Sequence, residues 1–265
     1  KHTFYNKYFL RGIIHLYESM KIGYSTLDWS SKMAEGDNYK EPNKFLDWIM
    51  TFISLMFALS LFVFSPLWIT SYFFEDIINR PMFFNILSGL IRITIFLIYL
   101  ILISQLKDIK RLFQYHGAEH KTVYNFESGL ELNANNAQTF STKHPRCGTS
   151  FIFIIMLVTI FTYAILDSIA LLFIDNLKYS YRMIFHILCL PLVSGIGYEV
   201  LKFLAKRQKN ILCKMLSKPG LWLQHITTKE PSDDQLEISI YALKQAFGKK
   251  INQYSGKQFT ADAIG

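Results

Sequence analysis

The apolar residues of this chain gather into four long runs, with most of the charge between them. Ile49–Phe74 carries no charged residue, Phe84–Gln105 only Arg92, Thr149–Ile174 only Asp167, and Met183–Leu201 only Glu199. As a helix, each run covers roughly 30 Å, the thickness of a hydrocarbon core. A helix in a soluble core seldom stays apolar on every face over that length. The pattern therefore predicts an all-α membrane protein with four transmembrane helices, at about residues 49–74, 84–105, 149–174 and 183–204.

The segments between the runs show helical periodicity instead. Phe9, Ile13, Leu16 or Tyr17, and Met20 form the stripe of an amphipathic helix within 1–44, followed by a polar linker over Ser31–Pro42. Lys107–Ser128 keeps helical spacing and stops at Gly129, a good residue for a left-handed helix end. A short helix is expected in Asn133–Lys143. Pro145, Arg146, Cys147 and Gly148 then break regularity, and Thr149 or Ser150 can cap the third span. In the tail, Ser232 and Gln235 make a capping box. They open an amphipathic helix at about 232–247, with Leu236, Ile240, Leu243 and Phe247 on its stripe. The expected organisation is an N-terminal region 1–44, a four-span bundle 45–205 containing the helical loop 106–148, and a tail 206–265.

Charge changes the picture by giving the spans a direction. The chain is 51% hydrophobic and 18% charged, with a net charge of +8. Of its 28 lysines and arginines, seven lie in 1–44, six in 106–148 and eleven in 202–265. Only one lies in 75–83 and two in 175–182. Loops on the cytoplasmic side carry the excess of Lys and Arg. Both termini and the loop 106–148 are thus expected on the cytoplasmic side. The basic residues have no nucleic-acid-reading fold around them, so the expected partners are membrane lipids, a membrane-protein partner or a second copy, and not nucleic acid. Three cysteines, Cys147, Cys189 and Cys213, make no disulfide framework.

Candidate chemistry concentrates in the loop. On the helix over Lys107–Ser128, His116, His120 and Glu127 fall within about 40° of one another and Glu119 about 60° to the other side, at 100° per residue. Histidines at i and i+4 let one helix grip a metal ion from one side. With Glu119 before the second histidine, the string His116-Gly117-Ala118-Glu119-His120 reads as the reversed zinc-peptidase motif, in which histidines bind zinc and the glutamate is general base. His144 and Cys147 are zinc-type ligands in the following loop. Glu127, and Glu199 about six residues inside the fourth span, can orient ligands or replace one. The bland reading is a hydrogen-bonded cap over the bundle, with Arg146 and Lys121 neutralising the glutamates. Arg92 and Asp167 sit at similar counted depths in the second and third spans and are expected to form a structural ion pair. His186 and Cys189 read as packing residues.

Several stretches carry a family resemblance. Phe9-Leu10-Arg11-Gly12-Ile13, Tyr115 to Lys121, His144 to Phe151, Pro219 to Gln224 and Thr227 to Pro231 occur in the order seen in the YqhQ-like family of bacterial and plastid membrane proteins. The chain resembles that family from about Phe9 to Phe247. The resemblance implies an integral membrane protein of a bacterial plasma membrane, or a plastid membrane. It also implies the label of a metal-dependent enzyme, drawn from these same motifs. A glycine-rich opening stretch that such members carry is not seen here, and it is expected upstream of Lys1. Three function classes follow. The first is a metal-dependent hydrolase at the cytoplasmic face, with zinc on His116, His120 and either His144 or Cys147, and Glu119 as base. The second is a non-enzymatic factor for membrane-protein insertion or assembly, using the motifs structurally. The third is a transporter.

Overall fold

A computed structural model gives the fold, and describes residues 10–36, 43–145, 147–175, 177–207, 210–254 and 256–258. Their regular structure is helical, with no strand among the described residues. In chain order the helices are α1 (Leu10–Glu35), α2 (Lys44–Leu59), α3 (Ser65–Phe73), α4 (Pro81–Ile103) and α5 (Lys107–Ser128). They continue with α6 (Ala134–Gln138), α7 (Gly148–Ala170), α8 (Tyr179–Lys206), α9 (Ile211–Thr227) and α10 (Asp233–Phe247). A π turn, Ser60–Phe64, joins α2 to α3, whose second residue is Pro66, with a ring that lacks the N–H a regular helix would use there. Four helical stretches are long and apolar enough to cross a membrane: Phe45–Phe73, Pro81–Ile103, Ile152–Ala170 and Tyr179–Leu204. The expected spans are present, with ends shifted by up to four residues. The N-terminal stripe expected from Phe9 and the linker over 37–42 reach outside the described residues, and α1 runs on to Glu35.

The chain divides into two compact units. The first comprises Lys1–Phe96 and Ile155–Val200, the second Leu97–Ile154 and Leu201–Gly265. In the first unit, glycines allow close helix contact. A Cβ on Gly89 would lie 2.3 Å from Ile160, and one on Gly197 would lie 2.8 Å from Ile155. Small residues serve this purpose in membrane helices, where packing replaces the hydrophobic drive.

Asp167 anchors the polar interior of this unit. Its Oδ2 lies 2.9 Å from Nε of Arg182, and both side chains are fully buried. This is an ion contact rather than an aligned hydrogen bond. Asn85 donates to the same oxygen at 2.7 Å, and Nε2 of His186 lies 2.9 Å from Oδ1. The expected partner, Arg92, is not the one used. α7 ends at Ala170 rather than Ile174, leaving Asp167 three residues from the helix end, about 4.5 Å. Arg92 is eleven residues into α4, about 16 Å. Arg182, in the first turn of α8, meets Asp167 across the short 171–178 connection. His186 is likewise more than packing: it also stacks on Tyr163 at 3.8 Å.

The second unit is built on α5. Its apolar face carries Ala118, which is fully buried with Ala137, Leu236 and Ile240 between α5, α6 and α10. Gly129 ends α5 in the left-handed region, φ 75°, and the Ser232–Gln235 capping box opens α10. Both features match the sequence reading.

Candidate metal centre

The motif on α5 has a reason for nearly every residue. Ala118 packs in the core. Gly117 lets another segment cross the helix, since a Cβ there would lie 2.1 Å from the Lys229 carbonyl oxygen. That segment is held by the Lys229 N–H donating to the Phe113 carbonyl at 2.9 Å. The crossing brings the Thr227 carbonyl to Nδ1 of His116, at 2.8 Å. One turn on, Nδ1 of His120 meets the Thr142 carbonyl. Each imidazole thus spends Nδ1–H on a carbonyl and keeps Nε2 for the interior of the cluster. Lys121, also buried, donates to the Gln138 carbonyl at 2.9 Å and pairs with Glu230 at 3.0 Å, rather than neutralising the helix glutamates.

Cys147, one residue before α7, completes the group. Its Sγ lies 3.1 Å from Nε2 of His116, and ligand-type atoms of His116, His120 and Cys147 all lie within 4.8 Å of one another. Thr149, expected as a helix cap, instead serves the sulfur. Its hydroxyl lies 3.2 Å from Sγ, and its backbone N–H donates to Sγ at 3.4 Å. Burial alone would raise the Cys147 thiol, but the bonds from His116, His120 and Thr149 outweigh it and hold the thiol at about 5. Burial likewise works against charge on His116, yet Cys147, the Thr227 carbonyl and Glu119 together raise it above the ordinary histidine value. The two shifts share a cause: the contact between Sγ and Nε2 of His116 favours moving the thiol proton onto the imidazole, from which a bound metal ion would displace it.

The other expected residues fall around this group. His144 is buried next to it, its ring 5.5 Å from that of His120 and 4.6 Å from that of Tyr124. Its backbone is clamped at both ends by one side chain: the His144 N–H donates to Oε1 of Gln224 at 2.7 Å, and Nε2 of Gln224 donates to the His144 carbonyl at 2.8 Å. Glu119 is exposed and close enough to act on the charge of His116. Glu127 is buried on α5, two turns beyond His120. Glu199 is half-buried on α8 and belongs to the first unit. Arg146 lies outside the described residues. Gln224, Thr142 and Thr227 were not singled out as site residues by sequence reasoning, although Gln224 and Thr227 stand inside stretches that carry the family resemblance.

The donor set suits a metal ion. Two imidazole nitrogens and a thiolate are ligands for zinc or a similar soft divalent ion and poor ones for magnesium. Histidines whose second nitrogen donates to a carbonyl are already in the tautomer a metal needs.

Comparison with known proteins agrees with the sequence resemblance. The chain is 33% identical, over 253 aligned residues, to the uncharacterised protein YqhQ of Bacillus subtilis (strain 168), covering 89% of this chain and 76% of that protein. No solved structure matches it. A family model described as "Protein of unknown function (DUF1385)" matches residues 8–249. The chain therefore belongs to the DUF1385 family of YqhQ-like proteins.

Proposed function

We propose that this protein is a membrane-embedded zinc enzyme that hydrolyses a membrane-associated substrate, with His116, His120 and Cys147 as the metal ligands. One observation carries the reading: three ligand-type atoms converge within 4.8 Å, with both imidazoles already turned by backbone carbonyls. Three protein ligands leave a coordination position open, the pattern of catalytic rather than structural zinc sites. A bound zinc would act there as Lewis acid and lower the pKa of a water molecule.

The chain's own residues supply the rest. The Thr227 and Thr142 carbonyls fix the imidazoles, and Thr149 steadies the thiolate. Glu119, beside His116, is the group to take up the proton released from the attacking water. Glu127, two turns further along the same helix, would orient ligands. The substrate class follows from position along the chain. Cys147 directly precedes α7, whose apolar span begins at Ile152, five residues or about 7.5 Å further on. A lipid-linked compound or a membrane-protein segment would meet the site without leaving the membrane surface. The lysine and arginine distribution supports placing that surface on the cytoplasmic side.

Metal analysis of the purified protein tests this. About one zinc per chain is expected in the wild type, and close to none in His120→Ala. Glu119→Gln should keep the metal and lose turnover. A wild type without any transition metal, purified from zinc-supplied cells, ends the proposal. His144 favours a second reading, that of a non-enzymatic factor: its clamped backbone and nearby ring make it a ready fourth ligand, which would close the site. X-ray absorption at the zinc edge separates the two. Three protein ligands with one oxygen support the enzyme; four protein ligands support the factor.

A further inference from the structure

The first unit holds a second polar cluster, within helices that are otherwise almost free of charge. α4 contributes Asn85, Ser88 and Arg92, which share one face at spacings of three and four. α7 contributes Tyr163 and Asp167, and α8 contributes Arg182 and His186. Asp167 is fully engaged by Asn85, Arg182 and His186. The arginines are not.

Two guanidiniums stand against one carboxylate, so the cluster carries an uncompensated positive charge even with His186 neutral. Arg182 has the ion contact with Asp167, donates through Nη2 to the Ile78 carbonyl at 2.8 Å, and lies flat over the Phe84 ring at 3.7 Å. Its Nη1 is buried without an acceptor. Arg92 makes neither a hydrogen bond nor an ion pair among the described residues, and its Nε is shielded from solvent. The charge of Arg92 acts on both Tyr163 and His186, which places it with the cluster. Ser88 Oγ and His186 Nδ1 are buried and partnerless as well. Guanidinium N–H groups can only donate. Snorkelling does not account for Arg92, which is about 16 Å from the nearer end of α4, beyond the length of its side chain. A cation this deep in a low-dielectric bundle is stable when it faces an anion.

We propose that this cluster is an oxyanion-binding site between α4, α7 and α8, taking one carboxylate or phosphate group. Arg92 and Arg182 provide the charge, and each guanidinium offers its N–H groups as a planar fork of the kind that matches such an anion. Ser88 adds a buried hydroxyl donor one helical turn from Arg92. The anion is either the head of an anionic lipid or a free ion. This site is separate from the metal centre and does not depend on it.

The test uses the full chain and reads its melting temperature. One arm compares nanodiscs of phosphatidylcholine with and without phosphatidylglycerol; the other titrates inorganic phosphate in detergent. The wild type should be stabilised in at least one arm, and which arm responds identifies the source of the anion. Arg92→Gln should weaken the response about tenfold or more in midpoint concentration. Ser88→Asp sets a carboxylate one helical turn from Arg92. It should raise the basal melting temperature and abolish the response. No response of the wild type in either arm overturns the proposal, as does a response that Arg92→Gln retains in full. If Arg92→Gln does not fold, Ser88→Asp decides alone: a lost response supports the site, a retained one removes it.

Discussion

His116, His120 and Cys147 keep lone pairs in reserve, whereas Arg92 and Arg182 keep N–H groups in reserve. The side-chain types around the two clusters overlap, since each has histidine, backbone carbonyls and one acidic group. Their arrangement is opposite. In the loop cluster, carbonyls absorb the histidine protons, and three donors lower the sulfur to a thiolate. In the bundle cluster, Asp167 is saturated, and the surplus is cationic. The sign of what is left over, rather than the number of polar residues, tells a cation site from an anion site. The difference follows from solvation. The loop cluster is half-open to water and can hold a reactive thiolate, while the bundle interior must neutralise every charge locally.

The largest effect should come from the loop ligands. Cys147→Ser should reduce zinc affinity by more than about a hundredfold, beyond the ten- to hundredfold typical of losing an outer partner. Competition with a chromogenic chelator measures this. In the bundle, Asp167→Ala leaves Arg182 buried and unpaired and should cost roughly 3–5 kcal/mol of stability, with much of it recovered in the double variant Asp167→Ala, Arg182→Leu. Thermal unfolding in detergent reads both. An unchanged single variant would erase the contrast between the two clusters.

Gly117→Ala tests the crossing segment that holds His116. The added methyl would collide with the Lys229 carbonyl. A loss of about 1–3 kcal/mol is expected, together with weaker zinc binding as the Thr227 carbonyl moves away. Titration of Cys147 sharpens the comparison further. In metal-stripped protein its alkylation by iodoacetamide should be nearly constant from pH 8 to about pH 6, then fall as the pH drops through about 5, because only the thiolate reacts. Added zinc should block it. A rate that keeps rising towards pH 9 would show an ordinary thiol. The smallest effect belongs to Glu230→Gln. Its partner Lys121 is buried, but Glu230 is 74% exposed, so water screens the pair and the change should stay within about 1 kcal/mol.

Features that depend on near neighbours in the chain were legible without the structure. The four spans follow from uninterrupted apolar runs, α5 from its spacing and Gly129, and the start of α10 from its capping box. The shared face of His116 and His120 follows from helical geometry alone. α9 was harder to see, because Pro219 and Gly220 both weigh against a helix interior. It bears Gln224 and Thr227, so the supports of His144 and His116 were hidden with it. The pairing of Asp167 misled for a related reason: counting depth from assumed span ends put Arg92 level with it, and a four-residue change in where α7 ends gave the carboxylate to Arg182.

From its sequence alone, this protein was bound to be a four-span helical membrane protein with two histidines on one face of a loop helix. Helical periodicity and hydrophobic length are set by residues within one or two turns of each other. Only the tertiary structure decided which side chains complete each cluster. Thr227 reaches His116 across 111 residues, and Gln224 reaches His144 across 80. Such contacts depend on where helices end and which carbonyl crosses which helix, and those are set by packing over the whole unit.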